Sequence, residues 1–456
     1  MSDFREQIRI IYVKAKKDTF YNAYILYGGK KMASQKIEFE HKPADSTFLT
    51  GRIHKEDEEP EPRRDDFPHD RDRIIHSRAF RRLMHKTQVF NANTGDHYRN
   101  RLTHTLEVMQ IGRSIGRLLG LDEDLIEAIA LGHDLGHTPF GHVGERTLCE
   151  ILNNGLDDMK SISEDFKHNF QSLRVVDYIE QRCDEYMGIN LTLAVREGII
   201  KHTKLTCKIN GNKHPVYYHT DDLKTEHLRM DLPHSFTLEG QVVAIADEIA
   251  QITHDIEDGI RGKIINQEKF MSCRLVKKYM HDRNIEKETV KTYNQKNQII
   301  KGLIGYLIED VYKESTAKIK KYFYNYGEPG FTSEKDIYVE ICIAFSDEIA
   351  VLADELATIR NNWILKSETI SKADHKAEYM IRHMFKAYYM HPLELPDYIL
   401  ARYSNLRMDQ LDRSDINPDK IRDDRKFKRF ICDHIAGMSD QYAAREYRGL
   451  YEPEYY

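Results

Sequence analysis

Three histidines fall within ten residues of this 456-residue chain, in the run Leu131-Gly132-His133-Asp134-Leu135-Gly136-His137-Thr138-Pro139-Phe140-Gly141-His142. The whole chain carries 22 histidines, so this density is local. Imidazole and carboxylate are natural ligands of Zn, Mn, Fe, Co or Ni. A His-Asp pair alone says little, because His69-Asp70, His254-Asp255 and His281-Asp282 also occur. Context separates them. His69-Asp70 lies in a charged stretch and His281-Asp282 in a lysine-rich one. His133-Asp134 ends an apolar segment and is followed by glycines that let backbone approach a ligand closely. Two residues extend the set. His104 opens the preceding apolar segment, and Asp247 sits in Ala244-Ile245-Ala246-Asp247-Glu248-Ile249-Ala250. A carboxylate among such neighbours is costly unless something pairs with it.

Helices must position these groups. Leu102, Leu106, Met109, Ile111, Ile115, Leu118 and Leu119 recur at roughly helical spacing, and Gly120 is a stop signal. Asp122 is suited to cap a following helix through Leu125, Ile126, Ile129 and Leu131, which Gly136, Pro139 and Gly141 break. An earlier helix is expected to start near Asp72. Others are expected over 170–182, 191–200, 238–261, 297–313, 336–359, 375–390 and 422–447. Strand patterns are confined to Ile8 to Val13 and Ala23 to Tyr27, with Gly28-Gly29 as a turn, and 203–222 reads as a hairpin or loop. The charge- and proline-rich stretch 51–73 reads as a solvated linker. The fold class is mainly α. Residues 1–62 form an N-terminal extension and charged linker, 63–275 the core, and 276–456 a helical C-terminal region.

Composition narrows the classes. Lys plus Arg number 68 against 74 Asp plus Glu, a net charge of −6, which argues against a generally basic nucleic-acid binder. Six cysteines are scattered with no C-x-x-C pair, so neither a disulfide scaffold nor a cysteine-type zinc site is expected, and a reducing compartment fits. There is no run of about 18 apolar residues to span a membrane. There is no signal-peptide apolar region and no G-x-x-x-x-G-K-[ST] phosphate loop. A cytoplasmic location is the default expectation.

The order H…HD…D resembles the HD-domain metal-dependent phosphohydrolases. More closely, the chain resembles the deoxyguanosine triphosphate triphosphohydrolase (dGTPase) family. The matching stretches are Arg73 to Leu83, Lys86-Thr87-Gln88-Val89-Phe90, Asn100 to Val108, Gly132 to Glu145, His168 to Arg174, Asp247 to Ala250 and Asp433 to Tyr442. They span about residue 63 to the C-terminus. The resemblance implies an HD-domain helical fold that hydrolyses a dNTP, with dGTP preferred, to a deoxynucleoside and inorganic triphosphate. It implies His104, His133, Asp134 and Asp247 as ligands of a divalent metal, Mn or Mg, with Fe or Co also suited. It assigns His142, Glu145 and His168 to proton transfer and charge stabilisation. Gln88, Arg101, His137, Lys201 and Asp255 would bind substrate phosphate and sugar. Family members form homo-oligomers, commonly hexamers, some with nucleotide activators at subunit contacts. The chain departs from the pattern at Gln251, where many relatives carry a tyrosine under the deoxyribose.

Two other classes remain open on sequence. One is a different HD-type phosphohydrolase, acting on monophosphates, cyclic nucleotides or alarmones. The long C-terminal part disfavours it. The other is a single-stranded nucleic-acid-binding regulator, kept open by the basic stretches 78–86 and 201–213.

Overall fold

A computed structural model describes residues 9–13, 22–27 and 30–31 as backbone strands, and residues 47–56, 65–89, 98–209, 212–219, 223–286, 290 and 292–452. The protein is 63% helical, with seventeen α-helices among the described residues. They are α1 Asp66–Ile75, α2 Arg78–Arg82, α3 Arg101–Leu119, α4 Glu123–Gly132, α5 His142–Asn154, α6 His168–Arg174, α7 Leu193–Lys201 and α8 Leu238–Arg261. Then follow α9 Gln267–Ser272, α10 Arg274–Asp282, α11 Tyr293–Tyr326, α12 Asp347–Arg360, α13 Glu368–Met390, α14 Asp397–Tyr403, α15 Pro418–Arg422, α16 Arg425–Ala436 and α17 Asp440–Tyr451.

The helix starts that matter are capped by side chains. Asn100 and Thr103 form a reciprocal capping box at α3, and Gly120 ends that helix in the left-handed region at φ 71°. The Asp122 carboxylate accepts from the backbone N–H groups of Asp124 and Leu125 at the start of α4. Thr237 caps α8 through the N–H of Gly240. Each such cap stabilises by about 0.5–2 kcal/mol. These caps set where His104 and Asp134 emerge from their helices.

Helices α3, α4, α7 and α8 pack around one apolar centre, with Val108, Ile111, Ile126, Ile129, Ile199, Val242 and Ile249 fully buried. A second apolar cluster joins Leu148, Ile151 and Leu152 of α5 to Ile381 and Phe385 of α13 and Phe427 and Ile431 of α16. Full burial of each such side chain stabilises by about 1.5–3 kcal/mol. So α5, which starts at His142, is covered by the C-terminal helices.

Strands β1 Arg9–Val13, β2 Asn22–Tyr27 and β3 Lys30–Lys31 form an antiparallel sheet, with Ile11 opposite Tyr24. The expected Gly28-Gly29 turn lies outside the described residues. The stretch 203–222 contains the hairpin β4 Thr206–Ile209 and β5 Asn212–Pro215, in which Cys207 faces His214.

Several expected bounds differ. The first helix starts at Asp66, inside the stretch read as a solvated linker. Asp70 there is fully buried, taking Arg52 at 2.6 Å and the Thr192 N–H at 2.7 Å. Paired charges fold where unpaired ones would stay wet. The helix expected over 170–182 leaves α-geometry at Val175 for one π-helical turn. The helix expected over 336–359 starts only at Asp347, where Ser346 caps it, and the one expected over 422–447 breaks between Ala436 and Asp440. Helix α11 is longer than expected, reaching Tyr326.

Candidate metal centre

His104 on the first turn of α3, His133 at the end of α4 and Asp247 in α8 bring ligand atoms to within 4.8 Å of one another, and all three are buried. His104 Nε2 lies 3.0 Å from Asp247 Oδ1. His133 Nδ1 lies 2.6 Å from the carbonyl oxygen of Ala130, which fixes the proton on that nitrogen. Its Nε2 is therefore a lone-pair acceptor, buried and without a hydrogen-bond partner. A cation is the partner such an atom lacks, since an orphaned polar atom in the interior is expensive. Asp134 follows at once, its Oδ1 3.4 Å from His133 Nε2. Two imidazoles and two carboxylates suit a divalent metal, so the residues present fit that group.

The electrostatics agree. Burial works against a charge on His104, but Asp247 outweighs it and raises its pKa. Burial pushes Asp247 up, but the His104 hydrogen bond and the nearby His133 outweigh it and hold it below the carboxylate range. Burial likewise opposes ionised Asp134, and His133, His137 and Arg101 hold it well below that range. A bound cation would replace the proton His104 otherwise attracts.

An anion-seeking group adjoins this cluster. Arg101, 2% exposed, donates through Nη1 to Asp134 Oδ2 at 2.8 Å. Its Nε and Nη2 are buried with no partner. A buried guanidinium with two unused donors is built to meet a phosphate or carboxylate.

A second cluster gathers His137, His142, Glu145 and His168, with ligand atoms again within 4.8 Å. His168 opens α6, and both its backbone N–H, at 3.0 Å, and its Nδ1 bond Glu145 Oε2. The His137 ring stacks on His168 with centroids 4.0 Å apart, and His137 Nε2 lies 3.0 Å from Asp134 Oδ1. Burial favours neutral Glu145, but the charges of His168, His142 and His137 hold it well below its usual range. His142 presents an exposed edge, yet the surrounding protein lowers it to about 4. Burial and Arg101 hold His137 well below the histidine range.

The turn between His137 and His142 is set by backbone rather than side-chain size. Phe140 and Gly141 both have positive φ, 62° and 66°. The Phe140 N–H donates to Asp440 Oδ1 at 2.8 Å, so a C-terminal carboxylate holds this turn. Lys86 Nζ donates to the carbonyl oxygens of His137 and, at 3.0 Å, Ala436. Burial, helped by Arg82 and Arg101, lowers Lys86 to about 7.

The remaining expected residues divide. Gln88 borders the turn: its carbonyl oxygen is 3.6 Å from where a Gly141 Cβ would sit, and its Oε1 is buried without a partner. Asp255 takes Arg360 Nη1 at 3.3 Å, the same atom that lies 3.3 Å from Gln251 Oε1. Lys201 is not brought to the cluster. Its ammonium is fully buried against Glu197 Oε1 at 2.7 Å and donates to the Arg229 carbonyl.

Sequence reasoning passed over His202, whose Nε2 lies 3.3 Å from His168 Nε2 and whose ring is 5.0 Å from that of His133. Its signal is a histidine ending an apolar helix, beside Lys201. It also passed over Arg360, which arrives from α12 with no local signal. Gln251 was noted only as a departure. Its Nε2 donates to Asp247 Oδ2 at 2.9 Å, so this amide orients a cluster carboxylate.

A mainly α core with its histidines and aspartates on α3, α4 and α8 defines an HD-domain hydrolase. Residues 101–252 match the HD domain family, and residues 343–449 match the phosphohydrolase-associated domain. The deoxyguanosinetriphosphate triphosphohydrolase-like protein 1 of Mesorhizobium japonicum is 36% identical over 423 residues, covering 91% of this chain and 97% of the relative. The deoxyguanosinetriphosphate triphosphohydrolase-like proteins of Geobacter sulfurreducens and Bartonella quintana are 36% and 34% identical, over 88% and 85% of this chain and 92% and 90% of theirs. The chain belongs to the family of deoxyguanosinetriphosphate triphosphohydrolase-like proteins. No helix among the described residues is long and apolar enough to cross a membrane.

Proposed function

We propose that the protein hydrolyses deoxynucleoside triphosphates, dGTP in preference, to deoxynucleoside and inorganic triphosphate. The observation that carries this reading is a buried, partnerless His133 Nε2 joined through Asp134 to a buried Arg101 with two unpaired donors. A cation site fused to an anion site in one enclosure is what a polyphosphate ester requires. The names of the relatives support the nucleotide class.

His104, His133, Asp134 and Asp247 would hold the divalent metal, Mn or Mg with Fe or Co as further candidates. When bound, it polarises the α-phosphate and lowers the pKa of a water. Arg101 takes a phosphate oxygen through its free Nη2, and His137 adds a donor. Glu145 fixes the His168 ring and balances its charge while that ring passes a proton towards the leaving 5′-oxygen. His142, whose exposed ring sits edge-on to His137 and His168, works as a hydrogen-bonding group there. Gln88 and Asp255 read sugar hydroxyls, Asp255 with Arg360 beside it. Lys201 reaches phosphate only by leaving Glu197.

On the same family reading the enzyme is a homo-oligomer, a hexamer, with a nucleotide activator; the basic stretches 78–86 and 201–213 make single-stranded DNA a secondary ligand, and the location is cytoplasmic by default. Light scattering, mixed-nucleotide assays and salt-dependent binding to single strands test these in turn.

The deciding experiment incubates the protein with each dNTP and with GTP, with Mn or Mg, and resolves products by anion exchange. Deoxynucleoside with intact triphosphate supports the proposal. Orthophosphate or a nucleoside monophosphate as product would make it a different HD-type phosphohydrolase.

A further inference from the structure

One cluster of metal-ligating side chains among the described residues lies outside the candidate centre. Cys149 of α5, Asp165 ahead of α6 and Cys207 of β4 place ligand atoms within 4.8 Å of one another. The two sulfurs are 3.3 Å apart, and Cys149 Sγ is 3.7 Å from Asp165 Oδ1. His214, the strand partner of Cys207, sets Nε2 at 3.1 and 3.0 Å from the two Asp165 oxygens. A tetrahedral zinc with ordinary bond lengths has edges of about 3.8 Å for S···S, about 3.5 Å for S···O and about 3.4 Å for N···O. The three measured edges differ from these by about 0.5 Å or less.

We propose that Cys149, Cys207 and Asp165, with His214 closing the fourth position, form a second metal site of the thiolate-rich, structural zinc type. Two sulfurs select zinc over the hard cations that suit an oxygen-rich site. Asp165 is 1% exposed and already aimed, its oxygens taking Asn153 Nδ2 at 2.9 Å and the Tyr217 N–H at 2.7 Å. His214 is partly exposed and bonds Asp165 without joining the cluster of atoms within 4.8 Å, so its ring must pivot towards the sulfurs to complete the shell.

The site has a place in the architecture. Cys149 lies one turn along α5 from Glu145, and Asp165 lies three residues before His168. The hairpin also touches this region through Lys167 Nζ, which donates to the Thr206 carbonyl at 2.9 Å, and the segment after β5 through the Asp165 N–H, which donates to the Tyr217 carbonyl at 2.9 Å. A metal here pins the hairpin onto the two segments that carry the Glu145–His168 pair. Sequence spacing hides it, because its cysteines are 58 residues apart and neither belongs to a C-x-x-C pair.

The test uses the full chain purified without chelator and then exchanged with Co(II). Cobalt on thiolate gives a sulfur-to-metal charge-transfer band that the histidine–carboxylate centre cannot give. The wild type is expected to show that band at about one equivalent per chain, and Cys207→Ser to lose it with one metal equivalent while the other cobalt stays bound. Wild-type protein that shows no thiolate band in excess Co(II) overturns the proposal. So does a Cys149–Cys207 disulfide found by mass spectrometry in protein isolated under reducing conditions. Both overturning readings come from the wild type and do not depend on a variant folding.

Discussion

Gly136 lies between Asp134 and His137, and its absent side chain sets the spacing between the two histidine clusters. A Cβ there would stand 2.1 Å from Ser172 N, 2.4 Å from the Gln171 carbonyl carbon and 2.4 Å from the His168 carbonyl oxygen. All three are backbone atoms of α6, so no flexible side chain can swing away. Restoring a 3.4 Å contact with Ser172 N moves the turn and α6 apart by about 1.3 Å. That shift also strains the Gly136 N–H bond to Ser172 Oγ at 2.8 Å and the Ser172 Oγ bond to the His133 carbonyl at 2.7 Å. Overpacking typically costs about 1–3 kcal/mol and each of the two weakened hydrogen bonds about 1 kcal/mol, so Gly136→Ala should destabilise by about 3–5 kcal/mol. Displacing His168 from the metal ligands by about 1 Å should lower turnover of the folded fraction by about 10²-fold. Urea titration gives the first quantity, and kcat at saturating metal, scaled to folded protein, gives the second. Wild-type stability in the variant would refute the packing argument. Lost stability with unchanged kcat would refute the claim that this spacing governs the chemistry.

Gly305→Ala serves as its counterpart: the position is exposed in α11 with nothing within 4 Å of an added Cβ, so stability should rise by about 0.5–1 kcal/mol in the same titration. Asp134→Ala, made in a Cys207→Ser background, should abolish metal binding at the histidine–carboxylate centre, measured by calorimetry, while far-UV circular dichroism keeps the helical signal; metal retained at that centre would remove Asp134 from the ligand set. His168→Ala should bind metal as the wild type does and lose about 10²–10⁴-fold in kcat, and lost metal instead would reassign it as a ligand. His434 is buried beside Tyr388 and Tyr398, and burial with Arg82 lowers it to about 4 from 6.5. A depressed histidine stabilises fully above its unfolded pKa and loses that share as pH falls through the folded one. The wild type should therefore lose up to about 3 kcal/mol from this group between pH 6.5 and 4, and His434→Gln should show a shallower decline in urea midpoint over that window.

What the sequence revealed follows the range of the interactions involved. The cap at Asp122, the stop at Gly120 and helix α8 were legible because each is decided within a few residues. The run His133 to His142 was legible because its residue types are rare in combination. The helix over Asp66–Ile75 was not, because its charges are neutralised by Arg52, Glu56 and the Thr192 N–H, residues far away or across a break in pattern. His202 and Arg360 were missed for the same reason: each joins the site only when α7 or α12 packs against α8. Lys201 shows the converse case. A lysine next to a histidine at a helix end looks available, but Glu197 one turn back takes its charge.

The C-terminal helices are part of the site rather than a cover for it. Asp433 of α16 receives Arg174 at 2.7 Å and Gln171 Nε2 at 2.9 Å, both on the short helix that begins with His168. Removing one partner of such a buried ion pair typically costs about 3–5 kcal/mol, far more than a seven-residue helix can supply from its own propensity. Asp440 of α17 bonds Thr87 through both backbone and hydroxyl and holds the Phe140 N–H. Phe140 sits at a positive φ that costs about 1–3 kcal/mol and persists only while its surroundings over-determine it. Lys86 bonds Ala436 and His137 together. Three separate contacts therefore run from α16 and α17 to the turn, to α6 and to the Lys86–Gln88 segment. The residues that would hold metal come from the region matching the HD domain, but the geometry of the Glu145–His168 pair and of the His137–His142 turn is fixed from the region matching the phosphohydrolase-associated domain. The two regions thus share this geometry: the turn and α6 bond each other within residues 101–252, through Gly136 N–H to Ser172 Oγ and Ser172 Oγ to the His133 carbonyl, and both are also held by Asp433 and Asp440 from α16 and α17.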